Sequence, residues 1–229
     1  VSWASTTGLL NIIFGMWHYG GSVVGYPINL NEHEPETAFE LMAEFGVTHI
    51  FIVPSALRRM IRVQDPNKYQ LSLSVIISGG ERLTPEIIDW VENSLNGVTI
   101  NEVYGMTEAS MLLVDCQTWY EKRVQPVGKA PPGHNLAIID TETGEERPRG
   151  KTGAIALHGE NNPALFSEYV GMPEKTAERW LGDWFLTGDL GKQDEDDYFH
   201  VFGRDDDVVI SSGYALAPEE IEGAIAQHK

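Results

Sequence analysis

The sequence has little that would anchor the chain in a membrane or lock it with disulfides. Cys116 is the single cysteine among 229 residues, which excludes an internal disulfide framework and favours a reducing interior. Its ordinary interpretation is a small core residue. The most apolar early stretch, residues 8–17, is shorter than the roughly 20 residues that span a bilayer. A basic leader and a small-residue cleavage site are also lacking, so we predict no signal peptide and a cytoplasmic location.

Basic residues are scarce. Lys and Arg number 16 against 34 Asp and Glu, and the formal net charge is −18. Such a charge repels the phosphates of nucleic acid and argues against a nucleic-acid partner. Two explanations for the acidity stay open: a highly soluble surface, or adaptation to high salt, where screening relaxes the repulsion between carboxylates.

The first half of the sequence alternates helical and strand-like segments, which predicts a mainly parallel sheet covered by helices. Hydrophobic residues make up 42% of the chain, enough for a substantial core in one or two domains. The predicted helices are residues 3–19, 35–45, 55–62 (capped by Ser55) and 84–95, and the predicted strands are residues 22–26, 49–53, 74–77 and 98–103.

From about Gln117 the pattern changes to short strands separated by turns, which predicts an antiparallel β subdomain. The acidic run 194–197 lacks the central Gly and terminal Glu of a calcium loop, so we interpret it as a hairpin turn. The predicted strands are residues 136–140, 153–157, 184–187 and 198–202, with a turn at 141–145 and a short helix at 173–180.

Two turns in the first half are candidates for ligand binding. Ser78-Gly79-Gly80-Glu81 follows one predicted strand, and residues 104–108 follow the next. Ligands of such sheets bind beyond the carboxyl ends of the strands. Both turns should therefore lie at the same edge of the sheet. The first is not a dinucleotide fingerprint, and by itself it is an ordinary strand-to-helix turn.

Three motifs occur in a fixed order: Tyr-Gly-Met-Thr-Glu at 104–108, Phe-Leu-Thr-Gly-Asp at 185–189, and Gly-Arg-Asp-Asp-Asp-Val-Val-Ile-Ser-Ser-Gly-Tyr at 203–214. Taken singly, they are typical of a helix N-terminus, a strand-end turn and a solvated turn with weak ion pairs. Taken together, they resemble the adenylate-forming (AMP-binding) superfamily, and within it the short- and medium-chain acyl-CoA synthetases. The resemblance extends over residues 3–222.

The resemblance implies an acid–thiol ligase. Such enzymes use ATP and Mg2+ to convert a carboxylic acid to an acyl-adenylate, and then transfer the acyl group to CoA. An acidic chain that handles these phosphates needs Mg2+ and a few placed arginines to supply local positive charge. The implied organisation is an α/β subdomain over residues 1–116, a β subdomain over 117–203, and over 204–229 a hinge with the start of a C-terminal domain that rotates between the two half-reactions.

Site residues follow from the same resemblance. Thr107 is expected to donate to the α-phosphate, Glu108 to hold Mg2+, and Arg204 to contact ribose or phosphate; these three are the expected catalytic residues. Asp206 matches the hinge, and Gly213 matches a glycine that lines the CoA tunnel. The expected nucleotide-binding residues are Gly80, Glu81, Arg82, Glu102, Val103, Tyr104, Gly105, Met106, Thr107, Asp189 (to both ribose hydroxyls) and Arg204.

Four positions are expected in the acyl pocket. Acetate-specific members have a bulky Trp where this chain has Gly105, and often a Val where it has Gly79, so the pocket floor is expected to be open. Ala4 and Ser5 align near the carboxylate end of the substrate. These positions predict a substrate longer than acetate.

The sequence departs from the family pattern in three ways. It contains neither the glycine-rich phosphate loop that precedes the matched region nor the C-terminal adenylation lysine, and Ala215 stands where the family commonly has Arg. We therefore expect a central fragment that is inactive alone. Two alternatives stay open: another adenylate-forming branch, such as amino-acid adenylation or a luciferase-like enzyme, and a non-catalytic nucleotide-binding remnant. An amino-acid activator would need an acidic partner for the ammonium group, and the four pocket positions offer none.

Overall fold

The fold is described from a computed structural model. The chain divides into two compact units. The first comprises Val1–Ser110 with Asp115–Val124, and the second comprises Met111–Val114 with Gln125–Lys229. The predicted division at residues 116 and 203 stays a prediction. The residues described are 4–26, 34–123, 127–160, 162–205, 209–211 and 214–216, and of the strands at 209–211 and 214–216 only the backbone is described.

The first unit is an α/β unit, as the alternating pattern predicts. β1, β2 and β3 are adjacent and parallel, in that order. Its elements are a π-helix at Thr7–Phe14, α1 at Gly15–His18, α2 at Pro35–Glu44, β1 at His49–Phe51, α3 at Pro54–Met60, a 3-10 helix at Pro66–Tyr69, β2 at Val75–Gly79, α4 at Pro85–Ser94 and β3 at Thr99–Met106.

The core of this unit lies between the sheet and helices α2, α3 and α4. Phe39, Leu57 and Ile87, one from each helix, are fully buried against Ile76 and Ile100 of the strands. Each of these helices has Pro at its first position, after a residue in extended conformation. Proline is suited to that position because its missing N–H would have no partner inside the helix.

Three local predictions in the first unit need correction. Residues 22–26 form no strand. α3 begins at Pro54 with Val53 as its N-cap, so Ser55 lies inside the first turn and is not the cap. The first predicted helix is helical from Thr7 to His18, but most of it is π-helix rather than α-helix. No helix in the described part of the chain is long and apolar enough to cross a membrane.

The second unit is built on antiparallel strands, as predicted. The strand order in its sheet is β5-β6-β8-β7, with β9 paired to β8, and β10 and β11 form a separate antiparallel pair. β4 at Ser110–Val114 begins at a residue of the first unit and continues in the second. The other elements of the second unit are β5 at Leu136–Ile139, β6 at Gly153–His158, α5 at Pro173–Ala177, β7 at Trp180–Leu181, β8 at Trp184–Gln193, β9 at Phe199–Arg204, β10 at Val209–Ser211 and β11 at Tyr214–Leu216.

Strand β8 is longer than the sequence indicates. Thr187-Gly188-Asp189 therefore lies inside a strand and not at a strand-end turn. The acidic run 194–197 does form the turn between β8 and β9, as predicted: Asp194 accepts hydrogen bonds from the backbone N–H groups of Asp196 (3.0 Å) and Tyr198 (2.9 Å). The expected hinge Asp206 and the expected CoA-tunnel Gly213 lie outside the described residues.

Candidate functional site

The register of β2 and β3 places the two candidate turns at one edge of the sheet. Gly79 is paired with Val103 in parallel orientation. The chain therefore continues from both strands at the same edge, with residues 80–82 after β2 and residues 104–108 at the end of β3 and in the turn that follows. The expectation of a shared edge is confirmed. Strand β3 runs through Met106, so only the last two residues of the motif form the turn.

Glu81 joins the loop after β2 to the start of α3. Its carboxylate accepts the Ser55 hydroxyl (2.6 Å), the Ser55 backbone N–H (3.1 Å) and Arg58 Nη2 (2.9 Å). A carboxylate at a helix N-terminus satisfies a free N–H group and interacts favourably with the helix dipole. These contacts fix the loop on which the expected adenine wall is built.

Glu102 holds the same loop from the β3 side. Its Oε1 accepts the backbone N–H of Leu83 (3.0 Å), and its backbone carbonyl accepts the N–H of Asp115 (2.8 Å). Burial raises the pKa of Glu102 to about 7, and the nearby Asp115 carboxylate acts in the same direction, against the Leu83 hydrogen bond and Arg82. Burial also raises the pKa of Asp115 to about 6. Glu102, which contacts the loop that Glu81 fixes, and its neighbour Asp115 therefore both have raised pKa values.

Thr107 and Glu108 lie in a tight turn after β3. Ala109 is fully buried and donates its N–H to Met106 O (3.3 Å), which anchors the turn. Thr107 is exposed and Glu108 is half-buried. A hydroxyl and a carboxylate on adjacent residues are hard oxygen donors. This donor set fits Mg2+, which usually binds one or two protein carboxylates together with substrate phosphates.

The four expected acyl-pocket residues differ in their surroundings. Ala4 and Gly105 are exposed. The Ser5 hydroxyl accepts the Gly8 N–H (3.0 Å) and so contributes to the start of the π-helix. Gly79 is buried, and a Cβ there would lie 2.4 Å from Val103 O. Close strand packing therefore explains the glycine at 79 without a ligand, and the argument for an open pocket rests mainly on Gly105.

In the second unit, Asp189 and Arg204 are paired across β8 and β9. Asp189 Oδ1 and Arg204 Nη1 are 3.7 Å apart, and the Asp189 side chain is much less exposed (15%) than that of Arg204 (52%). Thr187 fixes this part of β8: its buried hydroxyl donates to Ile155 O (2.8 Å) and accepts the Asp189 N–H (3.2 Å). The backbone that carries the expected ribose ligand is therefore held by hydrogen bonds. The prediction that residues 189 and 204 share one cleft with the turns of the first unit stays a prediction.

A second arginine lies beside Arg204. Arg179 Nη2 donates to Thr187 O (2.7 Å), the carbonyl to which Arg204 Nη1 also donates (3.3 Å). A Cβ at Gly188 would lie 2.9 Å from Arg179 Nη1 and 3.1 Å from Arg204 Nη1. Both guanidinium groups therefore pack over Gly188, whose φ of +82° also favours glycine.

Sequence reasoning missed Ser55, Arg58 and Arg179. The first two act across 26 and 23 residues of sequence, and only the fold brings them to Glu81. Arg179 carries a local signal: Gly182-Asp183 forms a two-residue connection between β7 and β8, a pattern typical of hairpins. Such a hairpin folds residue 179 back towards Thr187, Gly188 and Asp189 of β8.

Comparison with known proteins assigns the chain to a family. The family of AMP-binding enzymes matches residues 2–170, which is most of the sequence. The chain belongs to this family, and the resemblance inferred from the three motifs is confirmed.

The similar proteins are acyl-CoA synthetases and related ligases. Acyl-coenzyme A synthetase ACSM3, mitochondrial, of Mus musculus is 33% identical over 222 residues, covering 94% of this chain and 37% of that protein. An acyl-CoA ligase of Bacillus subtilis, YtcI, described as uncharacterized, is 36% identical over 196 residues, covering 84% of this chain and 36% of that protein. The chain thus spans little more than a third of the length of these relatives.

A solved structure shows the same fold. ATP-bound MatB from Rhodopseudomonas palustris superposes with a TM-score of 0.84 at 32% identity, covering all of this chain and 44% of that one. The anthranilate CoA ligase AuaEII in complex with anthranoyl-AMP superposes with a TM-score of 0.80 at 26% identity, covering 93% of this chain and 40% of that one.

Proposed function

We propose that this chain is part of an ATP-dependent acyl-CoA synthetase that activates a short- or medium-chain carboxylic acid. The reaction forms an acyl-adenylate with release of pyrophosphate, and the acyl group then passes to the CoA thiol with release of AMP. The family membership and relatives named as acyl-CoA synthetases support this proposal. The lone cysteine supports a reducing interior such as the cytoplasm, although the mouse relative is named as mitochondrial.

The observation that carries the proposal is the register of β2 and β3. It brings the loop at 80–82 and the residues 104–108 to one edge of a parallel sheet, which is where open α/β sheets bind ligands. Glu81 and Glu102 hold the loop by hydrogen bonds to α3 and to Leu83. A loop fixed in this way is suited to form one wall of an adenine pocket, with residues 102–104 as the other.

Thr107 and Glu108 are proposed to act at the reacting phosphate. An exposed hydroxyl at the turn is suited to donate to an α-phosphate oxygen, where negative charge develops during attack by the acid. Glu108 would hold Mg2+. When bound, that ion would neutralise charge on the phosphate oxygens and on the departing pyrophosphate.

In the second unit, Asp189 is proposed to accept hydrogen bonds from the ribose hydroxyls and Arg204 to contact ribose or phosphate. The pairing of these side chains and the Thr187 hydrogen bonds that hold the Asp189 backbone support both roles. Asp206 as the hinge and Gly213 as part of the CoA tunnel complete the proposal.

Two other functions are compatible with the family. An amino-acid-activating branch would form an adenylate but no CoA thioester, and it would need an acidic group for the substrate ammonium. A non-catalytic remnant would bind AMP without turnover, and Ala215, where the family commonly has Arg, favours this alternative for the chain by itself.

The experiment is product analysis with the native gene product purified from its host. It is incubated with ATP, Mg2+, CoA and butyrate, and with leucine in place of butyrate as a matched control. Butyryl-CoA with equimolar AMP supports the proposal. A leucyl-adenylate without any thioester indicates the amino-acid branch, and AMP binding without turnover of any acid indicates a remnant.

A further inference from the structure

We propose that Arg179 and Arg204 together form a binding site for a phosphate group at Gly188. Both guanidinium groups donate to the same carbonyl, Thr187 O, and both lie within 3.1 Å of the point where a Gly188 Cβ would stand. Arg204 is an expected site residue, but nothing in the sequence motifs assigns Arg179.

The charges at this position are unbalanced. Arg204 is 3.7 Å from the carboxylate of Asp189, whereas Arg179 forms no ion pair with any described residue. Its remaining contacts are the face of the Phe185 ring, 5.3 Å from the guanidinium carbon, and the single carbonyl. Two cations held side by side with one carboxylate leave a net positive charge, which an anion would offset.

One donor of Arg179 has no hydrogen-bond partner among the described residues. This donor is Nε, which is buried. A guanidinium presents five N–H donors in a planar fork, the geometry that matches two phosphate oxygens. The residue is half-buried.

We identify the phosphate as that of a nucleotide, and this identification rests on the proposed function. A nucleotide whose ribose binds Asp189 would carry its phosphate close to the neighbouring arginines. In an acidic chain with net charge −18, such paired arginines are a way to supply local attraction for phosphate.

The test measures binding of adenosine, AMP and pyrophosphate to the 229-residue chain by isothermal titration calorimetry. The variants are Arg179→Gln, Arg179→Lys and, as a matched control, Arg149→Gln. Arg149 lies in the same unit and pairs with Asp197 at the surface, so its substitution removes the same charge away from Gly188. We expect wild type to bind AMP more tightly than adenosine. Arg179→Gln should weaken AMP binding by about tenfold or more, the value of one charge-assisted hydrogen bond, and leave adenosine binding unchanged.

The remaining outcomes separate the two proposals. Arg179→Lys should fall between wild type and Arg179→Gln, since it keeps the charge and loses the fork. An equal loss of adenosine and AMP binding in Arg179→Gln would overturn the inference, because Arg179 would then only position the Thr187–Asp189 backbone. If wild type binds AMP no more tightly than adenosine, the phosphate site is overturned, but the proposed nucleotide binding is not. Pyrophosphate binding that depends on Arg179, without adenosine binding, would support the anion site and contradict the nucleotide function. If none of the three ligands binds, the inference fails, whereas the proposed function is decided separately by product analysis of the native gene product.

Discussion

Gly79 and Val103 lie so close on neighbouring strands that no side chain fits between them. A Cβ at residue 79 would be 2.4 Å from Val103 O and 2.7 Å from Val103 Cγ2. This contact keeps β2 and β3 together at the edge where both candidate turns begin. Glycine at 79 therefore has a packing function at this edge of the sheet.

Gly79→Ala should destabilise the first unit by about 1–3 kcal/mol, the usual cost of overpacking. Val103→Ala should not rescue it, because the nearest atom is a backbone oxygen. Urea unfolding followed by circular dichroism measures both. Gly15→Ala is the matched control: its Cβ would meet only Leu10 O at 3.5 Å, and alanine is the better helix former. Equal stability of Gly79→Ala and wild type would contradict the packing.

Thr187→Val keeps the shape of a buried side chain and removes its hydroxyl. Ile155 O then loses its donor, and the Asp189 N–H loses its acceptor. We therefore expect the free energy of unfolding to fall by about 1–3 kcal/mol. Asp189 should also lose its fixed backbone, which lowers affinity for adenosine. Thr141→Val, at an exposed turn position, is the control and should change neither quantity. Unaltered adenosine affinity in Thr187→Val would show that the hydroxyl does not position Asp189.

The raised pKa of Glu102 predicts a stability difference that depends on pH. Burial raises the pKa from 4.5 to about 7 in the folded chain, so the stabilisation that accompanies the protonated form is complete below pH 4.5 and is lost as the pH rises through 7. Glu102→Gln stays neutral and keeps an oxygen for the Leu83 N–H. The free energy of unfolding of Glu102→Gln should equal that of wild type near pH 4 and exceed it by about 2–3 kcal/mol at pH 8.

Urea unfolding at pH 4, 6 and 8 measures this difference. Asp89→Asn, at an exposed position on α4, removes one carboxylate charge from the same unit as a control. A constant difference between Glu102→Gln and wild type across the three pH values would show that Glu102 is not held in a desolvated position.

The sequence predicts the regular parts of the fold because their signals are local. Alternating helices and strands indicate the parallel sheet, and the carboxyl-edge rule places the turns at 78–81 and 104–108 together, which the strand register confirms. Residues 22–26 have the composition of a strand but form none, because pairing depends on a partner strand as well as on propensity. Ser55 has the composition of an N-cap, but Pro54 takes the first helical position.

The hydrogen bonds that shape the candidate site are harder to predict. Glu81 belongs to a motif, yet its partners Ser55 and Arg58 lie more than twenty residues earlier. Arg179 reaches Gly188 only because β7 folds back on β8. Such contacts depend on where the fold places two distant segments, which composition and spacing do not encode.

For the native gene product, the proposed open pocket floor at Gly105 predicts a preference for acids longer than acetate. Each additional buried methylene should add about 0.8 kcal/mol of binding until the pocket is filled. Butyrate should therefore have a higher kcat/KM than acetate, and Gly105→Trp should lower kcat/KM for butyrate far more than for acetate. A series of straight-chain acids measures this. A wild-type preference for acetate, or a Gly105→Trp profile of the same shape, would show that other side chains close the pocket.

The central claim is that the turn after β3 acts on the transferring phosphate of ATP. Acid-dependent exchange of labelled pyrophosphate into ATP tests it in the native gene product, with Thr107→Val and Glu108→Gln as variants and Glu121→Gln, at an exposed position of the same unit, as control. We predict robust butyrate-dependent exchange in wild type and in the control, a loss of about a hundredfold or more in both turn variants, and negligible exchange by the 229-residue chain alone. Exchange that survives in Thr107→Val and Glu108→Gln, or robust exchange by the 229 residues alone, would contradict the account.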